Sequence, residues 1–341
     1  MGILKKLSIL LLGILPGGCY DDFTPKIDVK PVLCLNARIC AGEAIEPLVT
    51  RSWLYTDVAG EEDHSVSDSQ TKLYVNGEVV DAGYIPKEGD RIRIVVDSPT
   101  YGKAESEVKV PSRPVIKDVK WKAEATSAAV GSDNDEEMNG RVLFNILVEL
   151  TVDDSAAEDN YYNLSYHGYN YNPEDYSYFG IGQLQYDAEP IFSEHISVFE
   201  SFYGADAYGF TFFSDRQFAG GCYTLTLQFS NLHYSIHSPV HDDRYFDLGL
   251  VLYLSSISDS FYKYANYQWQ VTDGIVGDLG DVGLGDPIWG YSNVSTGAGV
   301  VVAESYSSYT IDLHDFIKQT LESAPKEDLP DYTLTENHNT M

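Results

Sequence analysis

His233, His237 and His241, followed by Asp242 and Asp243, have the residue types of a metal site, since imidazoles with carboxylates hold zinc and other transition metals. Histidines at i, i+4 and i+8 come close enough to share an ion only on a helix, since four residues of strand span about 13 Å. Residues 224–235 instead alternate as a strand does, and Pro239 interrupts the series, so these histidines read as polar groups at a loop mouth. Asp278, Asp281 and Asp286 lie in or beside the glycine-rich stretch Gly274 to Gly285, where carboxylates and carbonyls suit Ca²⁺. The EF-hand spacing and its closing Glu are absent, so a calcium site there stays open, no metal ligand is assigned and no cofactor is expected. Catalytic signatures are missing as well: there is no Gly-x-Ser-x-Gly, His-Glu-x-x-His, phosphate loop or dinucleotide fingerprint. Among 52 acidic side chains any glycosidase pair would be arbitrary, and the chain reads as non-enzymatic.

Tyrosine offers a different chemistry, that of contact. Tyr161, Tyr162, Tyr166, Tyr169, Tyr171, Tyr176, Tyr178 and Tyr186 crowd one stretch. From Tyr169 to Tyr178 they are interspersed with Asn170, Asn172 and Pro173, with Gly180 just beyond, which is loop composition. Exposed tyrosines give large, rigid, amphipathic area at low entropic cost. Tyr169, Tyr171, Tyr176 and Tyr178 are therefore the candidate contacts for a ligand or a protein partner, the alternative being that the rings cover a wide sandwich.

The N-terminus decides where such contacts are made. Lys5 and Lys6 precede an apolar run, Leu7 to Leu15, and Gly17-Gly18 leads into Cys19, the layout of an export signal. This nine-residue run falls short of the roughly 20 that span a bilayer. Small residues before Cys19 match a bacterial lipobox, with Pro16 where an aliphatic residue is usual, so Cys19 is expected to be acylated and anchored in the outer membrane. Asp21 and Asp22 resemble the acidic signal that sends lipoproteins of Bacteroidota to the cell surface. A net charge of −30 excludes nucleic acid as a partner, since no basic stripe could neutralise phosphates. Cys34 and Cys40, six residues apart in one expected strand, would sit about 20 Å from each other. With Cys222 they read as small buried residues.

Short alternating segments predict an all-β protein. Residues 1–18 are assigned to the signal peptide, 19–30 to the lipidated cysteine and tether, and 31–112 to an immunoglobulin-like sandwich. A larger C-terminal β-sandwich domain spans 113–322 and a flexible tail 323–341. In the first sandwich, Asn76-Gly77 between Thr71–Val75 and Glu78–Val80 is a hairpin signal. In the second, residues 126–139 read as a loop, 299–304 and 309–313 as two strands, and 312–322 as a possible terminal helix. The main helix is expected near 259–271, with Phe261, Ala265 and Trp269 on its buried face and Tyr262 and Asn266 beside them.

Leu252-Tyr253-Leu254-Ser255-Ser256-Ile257-Ser258, then Phe261-Tyr262-Lys263-Tyr264, Gly285-Asp286-Pro287, Tyr291-Ser292-Asn293-Val294 and Gly297-Ala298-Gly299-Val300 resemble the C-terminal signature of a Bacteroidota lipoprotein family, the domain of unknown function forty-two forty-nine. Asp153-Asp154 with Asn160-Tyr161-Tyr162, and Phe213 to Phe218, add to the likeness. Asp286-Pro287-Ile288 stands where that family has Asn-Pro-Phe, and Val300 where it usually has an aromatic residue. The resemblance implies an outer-membrane, cell-surface lipoprotein, a non-enzymatic accessory or ligand-binding subunit of a TonB-dependent uptake system with a β-barrel transporter as partner. The alternative is a structural adhesin or assembly subunit of the cell surface.

Overall fold

The computed structural model describes residues 30–53, 64–131, 138–154, 159–171, 177–196, 208–238, 243–272 and 290–327. The chain is all-β, built as two sandwiches, and no helix among the described residues is long and apolar enough to cross a membrane.

The smaller sandwich uses β1 (Leu33–Cys40), β2 (Leu48–Arg51), β3 (Gln70–Val75), β4 (Glu78–Val80), β5 (Arg91–Ser98) and β6 (Gly102–Lys109). Period-two alternation points Leu33, Leu35 and Ile39 of β1 and Ile92, Ile94 and Val96 of β5 into one core. Asn76 and Gly77, at φ 52° and 91°, close the β3–β4 hairpin with the left-handed pair a two-residue turn requires.

The larger sandwich uses β7 (Val115–Gly131), β8 (Met138–Asp153), β9 (Tyr161–Asn170), β10 (Ser177–Gly180), β11 (Gln183–Leu184), β12 (Phe212–Ser214), β13 (Cys222–Ser238), β14 (Leu248–Ile257), β15 (Val301–Asp312) and β16 (Lys326–Glu327). One sheet runs β10-β13-β8-β7-β16, with β11 also on β13; the facing sheet runs β12-β9-β14-β15-β1-β2. Alternating Val142, Phe144, Ile146, Val148 and Leu150 of β8 meet Leu248, Leu250, Leu252 and Leu254 of β14 in a second core. Helix α1 (Asp259–Thr272) follows β14, and helix α2 (His314–Glu322) buries Ile317 and Leu321 against the same core.

Strand β15 serves both sandwiches. Its first part, Val301 to Glu304, pairs in parallel with Ala37 to Cys40 of β1, and the rest pairs antiparallel with β14. Val301 and Ala303 therefore belong to the smaller core and Ile311 to the larger. The division expected after residue 112 separates the four-stranded sheet β4-β3-β5-β6 from the later strands, yet the β1–β15 ladder crosses it, and residues from 32 onward form one compact unit.

Four local expectations change. Residues 126–131 continue β7, because Ala128 and Val130 pack on the core opposite β8. Residues 299–304 and 309–313 do not form two strands, since residues 301–312 run as one. Cys222 is exposed, since strand parity turns Tyr223 and Leu225 inward and Cys222 outward; Cys40 is buried and Cys34 half-buried. The tyrosine stretch is not one loop. Tyr169 lies on β9, half-buried over Gly249, where an added Cβ would stand 2.6 Å from the Tyr169 ring. Tyr178 lies on β10.

Candidate functional site

The site starts at the joint between β14 and α1. Ser258 acts as the N-cap, its hydroxyl accepting the Phe261 N–H at 3.3 Å and the Ala303 N–H of β15 at 3.0 Å. The helix is thereby fixed to the shared strand. Ala265 and Trp269 turn inward onto Phe210, while Asp259, Tyr262, Lys263, Asn266, Tyr267 and Gln270 form one stripe at i, i+3, i+4, i+7, i+8 and i+11 on the other face. That stripe is one wall of a groove of about 620 Å³.

Tyr161, Arg216 and the segment Gly290 to Ser292 complete the groove. A second cleft of about 620 Å³ shares Tyr161, Asp259 and Tyr291 with it and extends to Glu107 and Lys109 of β6 and to Pro111–Val115 between the sandwiches. The rings of Tyr161 and Tyr262 stack with centroids 4.6 Å apart and planes at 22°. The Tyr262 hydroxyl donates to Glu194 at 2.9 Å, and Lys263 pairs with Asp259 at 2.7 Å. Burial and then the Asp259 charge raise the Tyr161 phenol; burial and then the Glu194 carboxylate raise that of Tyr262. Both rings stay neutral hydrogen-bonding surfaces near pH 7.

A buried polar network holds Tyr161 and Arg216 in place. Asp154, 7% exposed, accepts from the Tyr162 hydroxyl at 2.5 Å, the Asn160 amide at 3.0 Å and the Gly220 N–H at 2.9 Å. Asp215, 3% exposed, accepts the Asn160 N–H at 2.9 Å, and its carbonyl accepts the Phe218 N–H at 2.7 Å to form the turn that presents Arg216. Burial and then the Asp154 carboxylate push the Tyr162 phenol far above its ordinary value. The motif residues around Asp154 and Asn160 thus meet Asp215, distant in sequence, behind the groove, and the neighbours Tyr161 and Arg216 face it.

The remaining motif residues join the two sandwiches. Asn293 donates to the Val301 carbonyl at 2.7 Å and accepts the Val301 N–H at 2.8 Å, and the Ser292 hydroxyl donates to the Gly299 carbonyl at 2.9 Å. Ser260 donates to the Val301 carbonyl at 3.0 Å. Gly297 and Gly299 lie so close to Leu33 and Leu35 that an added Cβ would stand 2.6 Å and 2.1 Å from their carbonyl oxygens.

The residues singled out in the sequence lie elsewhere. Tyr171, half-buried after β9, has its hydroxyl bonded by Arg244 at 2.9 Å, and Tyr178, 57% exposed, faces the His233 ring with centroids 6.0 Å apart. His237 lies on β13 with His233, so their four-residue spacing runs along a strand. Cys19, Asp21, Asp22, Tyr176, His241, Asp242, Asp278, Asp281 and Asp286 lie outside the described residues. Among the described residues no three His, Cys, Asp or Glu side chains converge as a metal site. Sequence reasoning missed Tyr267, Tyr291, Arg216 and Lys263, although the polar and aromatic stripe opposite the buried face of α1 was a usable signal.

The sequence model of a family described as Domain of unknown function (DUF4249) matches residues 20–310. No curated protein and no solved structure matches the chain.

Proposed function

The chain belongs to the domain-of-unknown-function family DUF4249, and from that premise we propose a non-enzymatic ligand-binding lipoprotein, held through Cys19 on the outer face of the outer membrane. It serves as an accessory subunit of a TonB-dependent uptake system and delivers what it captures to a β-barrel transporter. The observation that carries the reading is the make-up of the groove beside α1, in which tyrosine rings, amides and charged groups converge on a helix and a strand. The candidate contact surface thus moves from Tyr169, Tyr171, Tyr176 and Tyr178 to Tyr161, Tyr262, Tyr267 and Tyr291.

The test has an anchoring arm and a binding arm. Cys19→Ser is expected to shift the protein from the membrane fraction to the soluble fraction, and retention in the membrane contradicts the anchor. Tyr267→Ala in the full-length protein is expected to weaken capture of oligosaccharides at least about tenfold, the scale of a lost ring contact of about 1.4 kcal/mol, with an unchanged melting temperature. Equal binding by this variant and the wild type contradicts the groove assignment.

A further inference from the structure

We infer that the groove takes an oligosaccharide carrying an anionic substituent, a uronate carboxylate or a sulfate ester; this rests on the groove being the ligand site. The described lining made by α1, Tyr161, Arg216 and residues 290–292 contains no aliphatic side chain. Tyrosine rings supply its apolar surface, and the amides of Asn266 and Gln270, the Ser292 hydroxyl and the phenols supply hydrogen bonds. That combination suits a sugar, whose C–H face lies on a ring while its hydroxyls are bonded at the edge. An acyl chain or an apolar peptide side chain needs an apolar pocket, which the described lining does not offer.

Charge selects among sugars. Lys263 is neutralised by Asp259, but Arg216, whose charge reaches Tyr161 and Tyr262, makes no hydrogen bond or ion pair among the described residues. Every other described arginine has a partner. In a chain of net charge −30, a guanidinium without a partner among the described residues, over a tyrosine-lined groove, is an open fork for a planar or tetrahedral oxyanion.

The experiment is calorimetric titration of trigalacturonate, sulfated galactotriose and unsubstituted galactotriose into the full-length protein in detergent. At least one anionic trimer is expected to bind about tenfold tighter than galactotriose, and which one does so identifies the substituent. Arg216→Gln is expected to abolish that preference with the melting temperature unchanged. The inference is overturned if galactotriose binds as tightly as both anionic trimers, or if Arg216→Gln keeps the preference. Those outcomes leave the groove assignment intact as long as Tyr267→Ala weakens binding; failure of all three trimers to bind the wild type overturns both.

Discussion

Gly299→Ala is expected to lower the melting temperature by about 6 to 10 °C. Gly299 sits at φ 116°, which L side chains rarely adopt, and its new Cβ would stand 2.1 Å from the Leu35 carbonyl oxygen. Relief requires moving β1, which is fixed there by Leu35 N–H to Ala298 O at 2.8 Å and Ala37 N–H to Val300 O at 3.0 Å. Backbone strain of about 1 to 3 kcal/mol adds to an overpacking cost of similar size. Gly42→Ala is the control, because Gly42 has φ 90° with open space around it and therefore reports strain alone. If the two variants melt together, the close seating of the smaller sandwich on the shared strand is refuted.

The second large effect lies behind the groove. Asp154→Ala removes the acceptor of three donors, the buried Tyr162 hydroxyl and the partly buried Asn160 amide and Gly220 N–H. A buried donor left unpaired costs about 1 to 3 kcal/mol, and partial relaxation brings the expected loss to about 3 kcal/mol, or roughly 6 °C in melting temperature. Because Asn160 also bonds Asp215, both Tyr161 and Arg216 lose their frame, and sugar affinity is expected to fall even at temperatures where the variant is fully folded. Asp154→Asn keeps the shape but turns one oxygen into a donor, so its melt should fall between the two. Wild-type stability in Asp154→Ala would mean that the network bears no load.

The sequence made legible whatever depends on local period and turn chemistry. Alternation in Leu33 to Ile39 and Val142 to Leu150 marks strands, Asn76-Gly77 marks a hairpin, and the spacing of Ala265 and Trp269 marks the buried face of α1. The pairing of Ala37 with Val301 was not legible, because a parallel ladder between distant segments leaves no trace in either one. Tyr169 reads as a loop residue because Asn and Pro crowd the residues after it, whereas its ring covers a glycine on the neighbouring strand. Arg216 reads as any surface cation, and only the meeting of Asp154 and Asn160 with the distant Asp215 places it beside Tyr161.

The groove is tested most directly by a crystal structure of the protein with the anionic trisaccharide it binds best. The expected density lies against α1, with a sugar ring on Tyr267 or Tyr291 and the anionic group on the Arg216 guanidinium. A trisaccharide seated instead beside Tyr178 and His233, with the groove empty, contradicts the assignment.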